Sequence, residues 1–169
     1  MPRKQLTFLV VAIFTLVAIG AFLGFRRGAE VDATLANLQR DQLVGVRFVK
    51  DPLRESEGLD LAVEADDDLE ALLAALHTLR ASGRSIKSLD VLTTTTIALT
   101  LASTPASEEA LTLRVMRAAQ TGEVGVVSIM RAAGPGEVSA GVFDSAELLA
   151  WVEQMASKPG FESIAEIRR

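Results

Sequence analysis

The sequence predicts an α+β domain behind a single membrane-spanning helix, and three patterns carry that expectation. Residues 6–25 are twenty consecutive uncharged positions, nearly all apolar. Beyond residue 43, stretches with apolar residues at every second position dominate, and two segments with apolar residues three and four apart interrupt them. The first period is that of a half-buried strand and the second that of an amphipathic helix. The expected order is strand, strand, helix, four strands, helix. Strands joined by short links pair antiparallel, and two helices can cover only one face of a sheet. A two-layer sandwich is therefore expected, a mainly antiparallel sheet of about six strands with two helices on one face. The chain divides into an N-terminal tail at 1–5, a transmembrane helix at 6–25, a helical stalk or linker at 26–42, the globular domain at 43–157 and a C-terminal tail at 158–169.

Between Leu6 and Phe25 the only polar side chains are Thr7 and Thr15. At about 1.5 Å per residue the run makes a helix of roughly 30 Å, the thickness of a bilayer core. Ala18-Ile19-Gly20 has the small residues of a signal-peptide cleavage site, but Ala21, Phe22, Leu23 and Phe25 prolong the apolar run and Arg26-Arg27 then stops it. Length and stop together favour a retained anchor over a cleaved signal. Arg3 and Lys4 balance Arg26 and Arg27, so flanking charge barely orients the helix. A five-residue tail is more easily left behind than a long domain, which favours a cytoplasmic N-terminus and an extracytoplasmic domain. Gly20, Gly24 and Gly28 recur every four residues on one helical stripe, where small residues let a partner helix approach closely. The competing explanation is that glycine is simply common in membrane helices. Val31, Leu35 and Leu38 then keep helical spacing as far as Gly45, the thin apolar stripe of a stalk.

Val44, Val46 and Phe48 alternate with Gly45, Arg47 and Val49, and Leu59, Leu61 and Val63 follow a charged loop, which together read as two strands of a hairpin. Asp66, Asp67 and Asp68 open a helix in which Asp67 and Glu70 have capping-box spacing, Leu69, Leu72, Leu73, Leu76 and Leu79 form the apolar stripe, and Gly83 is the stop. Thr95, Ile97, Leu99 and Leu101 alternate with Thr96, Ala98 and Thr100. Leu111, Leu113 and Val115 alternate in turn with Thr112, Arg114 and Met116. Two further strands follow across the turns at Gln120-Thr121-Gly122 and Ala132-Ala133-Gly134-Pro135-Gly136. Asp144 with Glu147 is a second capping-box pattern, opening a helix that turns Leu148, Val152 and Met155 inward and ends before Pro159-Gly160. The open face of the sheet is expected to expose Thr96, Thr100, Thr112 and Arg114.

Charge and composition narrow the chemistry. The net charge is −5, and from residue 28 onward 13 basic residues face 22 acidic ones, a net of −9. So acidic a domain repels phosphate backbones, against a nucleic-acid partner. The absence of cysteine removes disulfides, thiolate metal sites, a cysteine nucleophile and a lipid-modified cysteine anchor. The three aspartates lack the alternate spacing and glycine of a calcium loop, and their place at a helix start favours a capping role. His77 is the only histidine, so no nitrogen-and-sulfur metal set can form. A Ser-Lys pair could draw only on neighbours such as Ser85 and Lys87, with no strained turn to present a nucleophile. The Gly134–Gly136 turn lacks the Gly-Lys-Ser/Thr of a phosphate loop. Trp151 suits a core position on the last helix.

No catalytic, metal or cofactor-binding residue is expected, and no enzymatic activity. The expected partners are the lipid bilayer and integral membrane subunits, with neither nucleic acid nor a small-molecule ligand. The expected role is that of a single-pass, non-catalytic accessory, structural or assembly subunit of a larger membrane complex, of the kind found in respiratory or photosynthetic assemblies. The alternative is an anchored extracytoplasmic module that binds a peptide or small ligand on its open sheet face.

Overall fold

Alternating side chains become strands here because one parity of every run has an apolar layer to enter. The computed structural model describes residues 33–49, 60–104, 107–133, 136–161 and 164. Seven strands form one sheet: β1 Leu43–Val49, β2 Asp60–Ala62, β3 Arg80–Ala81, β4 Val91–Thr104, β5 Ser107–Ala118, β6 Gly125–Ala133 and β7 Gly136–Ser145. Their order is β2-β1-β4-β5-β6-β7-β3, and every pairing is antiparallel. Helices α1, Asp66–Leu76, and α2, Ala146–Ala156, lie on one face. The architecture is α+β, as expected; the seventh strand, β3, is two residues long and carries no periodicity that a sequence could reveal. The transmembrane helix expected at 6–25 lies outside the described residues, as do Gly20, Gly24 and Gly28. Among the described residues no helix is long and apolar enough to cross a membrane.

The core fills the space between sheet and helices. Val46 and Phe48 from β1, Ile97 and Leu99 from β4, Leu111, Leu113 and Val115 from β5, Val127 and Ile129 from β6 and Phe143 from β7 meet Leu69, Leu72 and Leu76 from α1 and Leu148, Leu149, Val152 and Met155 from α2. The alternation expected for β4 and β5 is therefore the alternation observed. In β1 it fails at one residue. The register against β4 shifts between Leu43 and Gly45, so Leu43 turns into the core and Val44 is 55% exposed. A bulge of this kind inserts one residue and reverses the parity on its far side, and nothing in the run Leu43-Val44-Gly45-Val46 marks it beforehand.

Both helix starts differ from their expected caps. The N-cap of α1 is Ala65, whose side chain makes no capping bond, and Asp66, Asp67 and Asp68 fill the first turn. Their charge meets the positive end of the helix dipole without accepting the capping bond expected of Asp67. The helix ends at Leu76, well before Gly83, because Arg80 and Ala81 pair with Asp144 and Phe143 as β3. In α2 the cap is Ser145, the last residue of β7, whose hydroxyl accepts from the Leu148 amide at 2.9 Å. Asp144 is still in the strand and cannot serve.

Two junctions orient the helices. Thr78, just past α1, lies 3.1 Å from Ser145 between hydroxyl oxygens, at the end of the sheet where β4 starts and β5 finishes. At the opposite end, Lys158 beyond α2 pairs with Asp68 of α1, and the Trp151 indole donates to the Asp68 carbonyl at 3.0 Å. The helices are thus antiparallel. Trp151 also stacks on Phe48 with centroids 5.5 Å apart, and Phe161 meets Phe48 edge-on at 5.9 Å.

The segment before β1 belongs to the packed unit. Residues 33–36 are helical, and Leu35 and Leu38 are core members at 1% and 3% exposure. His77 Nε2 donates to the Leu38 carbonyl at 3.0 Å, and Arg40 pairs with Asp66 at 2.8 Å. The segment therefore runs alongside α1 as a third element of the helix layer. At the other terminus Ile164 is buried too, so packing extends from Leu35 to Ile164.

At Gly125 the β6 backbone passes so close to α2 that an added Cβ would stand 2.9 Å from both the Leu149 Cβ and the Ser145 carbonyl oxygen. Neither atom is the free end of a flexible chain. Gly125→Ala is expected to lower stability by about 1–3 kcal/mol, the usual range for overpacking. Gly83, with nothing within 4 Å of the same added atom, is the control. Its alanine variant is expected to stay within about 0.5 kcal/mol of the parent in urea unfolding.

Candidate functional site

The face turned away from the helices is where the sequence placed its candidate surface, and Thr96, Thr100, Thr112 and Arg114 all lie on it. Thr96 pairs with Arg114 across β4 and β5, Ala98 with Thr112, and Thr100 with Ala110. The row through Arg114 continues to Ser128 on β6 and Val142 on β7, and on the other side from Thr96 to Val49 on β1. Thr100, Thr112 and Arg114 are half-buried. Thr96, expected to be exposed, is only 3% so, and Ser128 only 6%. This face is less open than two helices on the other side imply.

Topology supplies the cover. The chain leaves β3 at the β7 edge, where the Ser82 amide donates to Val142, and enters β4 on the far side of the end of β5, where the Ala119 amide donates to Asp90. The connection Ser82–Asp90 must pass β7, β6 and β5 on the way, and the helices occupy the other face. Met116, Ala118 and Val126 are 5%, 1% and 0% exposed on the face away from the helices and stand outside the main core cluster. Their burial marks the path of the connection, which carries half-buried Ile86 and Leu89. Arg84 holds it to β7 through Asp144 at 3.4 Å, and Asp90 accepts no less than it gives, its amide donating to Gln120 Oε1 at 3.0 Å. Only the upper part of the face, around Thr100, Thr112 and Arg114, is left without it.

Asp66, Asp68 and His77, among the side chains singled out for chemistry, have structural partners. Asp68 is bound to Lys158 and its carbonyl to Trp151; Asp66 pairs with Arg40. His77, as donor to Leu38, ties the segment before β1 to α1. Ser85 and Lys87 are both exposed around the turn Ile86–Ser88, and the bond from Ser85 is made by its carbonyl, which accepts from the Ser88 hydroxyl at 2.8 Å. Among the described residues no group of three His, Cys, Asp or Glu side chains is placed to hold a metal ion. A cleft of about 60 Å³ lies between β4, β5 and α2, lined by Thr93, Thr95, Val115, Leu149 and Val152, with Arg117 and Glu153 paired at 3.0 Å beside it. Small-molecule sites usually enclose about 300–1,000 Å³.

A second polar junction is at the start of α2. Glu147 sits in the first turn, and the hydrogen bond of its own backbone amide holds its carboxyl below the ordinary value of 4.5, with the Thr78 hydroxyl and the Arg80 charge acting in the same direction. The amide and dipole of a helix N-terminus favour the charged form. No protein-family model, curated protein or solved structure matches the chain.

A carboxyl whose folded-state pKa is depressed contributes stability above its unfolded value and loses it as pH falls through the folded value. Acidification from neutral pH to below 4.5 is therefore expected to narrow the stability difference between the parent and Glu147→Gln. Chemical denaturation of both proteins across that range measures it. At neutral pH, Ser145→Ala is expected to cost about 1 kcal/mol through loss of the cap.

Proposed function

We propose that this chain is a single-pass, membrane-anchored, non-catalytic accessory, structural or assembly subunit of a larger membrane protein complex, with respiratory and photosynthetic assemblies as the type. The observation that carries the proposal is the docking of Leu35 and Leu38 on the core. An uncharged run ends at Phe25, and the first side chain in the core is Leu35, so residues 26–34 separate the two. Nine residues span at most about 32 Å fully extended and about 14 Å as helix. A domain held so close to an anchor meets what lies in or on the membrane and little else. The engagement of Asp68, His77, Ser145 and Trp151 in the fold's own junctions agrees with a scaffold role.

In this proposal the N-terminus is cytoplasmic, the domain is extracytoplasmic, and Gly20, Gly24 and Gly28 receive a partner helix. The alternative, a peptide or small ligand on the open sheet face, has less surface at its disposal once the Ser82–Asp90 connection crosses the lower part. Extraction of the full-length protein from its native membrane in mild detergent, followed by mass spectrometry of intact complexes, tests the proposal. Recovery in fixed stoichiometry with integral membrane proteins is expected, and Gly24→Ile is expected to reduce that recovery. Recovery of the parent as a lone monomer or dimer would overturn it.

A further inference from the structure

We infer that the end of the sheet where the β3–β4 connection enters β4 rests on the bilayer surface, with Val91 and Leu92 in contact with the lipid headgroup and acyl boundary. The inference depends on the proposed anchor and adds to it the face that the domain turns to the membrane.

The register of β4 against β5 shifts between Val91 and Thr93, so Leu92 has no partner opposite it and the regular alternation of faces is interrupted there. Val91 and Leu92 are 37% and 54% exposed, so the cover that buries Ala118 opposite Val91 leaves these two side chains at the rim open. With Val44 they are the exposed large apolar side chains among the described residues; Val44 and Leu92 each lie at a register shift, and Val44 is alone toward the other end of the sheet whereas Leu92 adjoins Val91. Half-buried Ile86 and Leu89 precede Val91 and Leu92 in the same connection, and Lys87 between them is exposed. Apolar side chains accompanied by a long cationic one suit the interface, where the ammonium remains at headgroup level while the apolar groups enter.

The position of the chain's beginning selects lipid as the occupant. His77, at the C-terminal end of α1, bonds Leu38, and the neighbouring Thr78 contacts Ser145. Ser145 pairs with Gly125, one row from the Val91–Ala118 pair. The helical residues 33–36 therefore enter the domain at the same end that exposes Val91 and Leu92. The apolar run finishes at Phe25, ten positions before Leu35, so this is the end nearest its exit from the membrane.

Charge agrees with this placement. The acidic start of α1, Glu64, Asp66, Asp67, Asp68 and Glu70, lies toward the far end, where Asp68 meets Lys158. At the near end Arg84 pairs with Asp144, the charge of Arg80 acts on Glu147, and Lys87 offsets Asp90, with Glu123 in the adjoining β5–β6 turn. The nearly neutral end can approach lipid headgroups, whereas the acidic one is repelled by anionic ones.

Because the chain contains no cysteine, single labels can be placed without removing any. Leu92→Cys and, at the far end, Ala110→Cys would each carry an environment-sensitive nitrobenzoxadiazole group in full-length protein reconstituted into phosphatidylcholine vesicles. The label at residue 92 is expected to shift its emission to the blue and lose most of its intensity to lipids spin-labelled at the headgroup. The label at residue 110 is expected to be quenched by aqueous iodide alone. If the protein floats with the vesicles while residue 92 is quenched only by iodide, or is shielded from both quenchers by self-association, the inference is overturned and the anchor stands. If the protein does not float with the vesicles, the anchor fails and the inference with it. Matching thermal unfolding of the labelled and parent proteins checks that the label leaves the fold intact.

Discussion

Coverage of the sheet is the constraint from which the rest of the domain follows. Seven strands at about 4.8 Å spacing make a surface close to 29 Å wide. A helix with its side chains is about 10 Å across, so α1 and α2 together close only about two thirds of one face. The remainder of that layer is filled by the segment through Leu35 and Leu38, held along α1 by His77 and Arg40. The opposite face would expose Met116, Ala118 and Val126 to water, and the connection from β3 to β4 crosses there. A residue pair as small as β3 matters for this reason: it fixes the departure point of the crossing at the β7 edge.

Within the helix layer, one cluster determines how the pieces meet. Trp151 stacks on Phe48 of β1 and donates its indole proton to the carbonyl of Asp68, the residue whose carboxylate binds Lys158. Strand, both helices and the start of the C-terminal tail converge on these four side chains. A buried carboxylate needs both a cation and hydrogen bonds to offset its desolvation, and a buried indole needs an acceptor. The Lys158 ammonium meets the Asp68 carboxylate and the Asp68 carbonyl accepts from the indole, so the polar groups add a specific helix alignment to an otherwise generic apolar contact.

Much of this architecture is legible in the sequence, and the parts that are not share a cause. Period-two alternation in β4 and β5, with Ile97, Leu99, Leu113 and Val115 on one parity, assigns their inner face correctly because each strand is long and its turns are rich in small polar residues. The leucines of α1 do likewise. Local ambiguity defeats the finer details. Three successive aspartates leave the cap of α1 undefined by pattern, and Asp144-Ser145 offers two side chains able to cap, of which the end of β7 selects the second. The bulge at Val44 and the two-residue β3 exist only because a partner strand is present. Burial of Met116, Ala118 and Val126 follows from a connection whose sequence, Ser82 to Asp90, has no period of its own. Leu35 and Leu38 have the spacing of a helical stripe, but spacing does not reveal what the stripe rests on.

That last point governs how far the domain stands from the proposed anchor, and so both the proposed role and the proposed membrane-facing end. Leu35→Ala and Leu38→Ala, alone and together, with Ala36→Ser as an exposed control, measure it directly in reversible denaturation of the full-length chain. Two side chains truly seated in the core are expected to cost about 2–5 kcal/mol each when truncated. The exposed control is expected to change stability by no more than about 0.5 kcal/mol. A double variant as stable as its parent would mean that the segment is a free stalk, and the account of a domain held against the membrane would be contradicted.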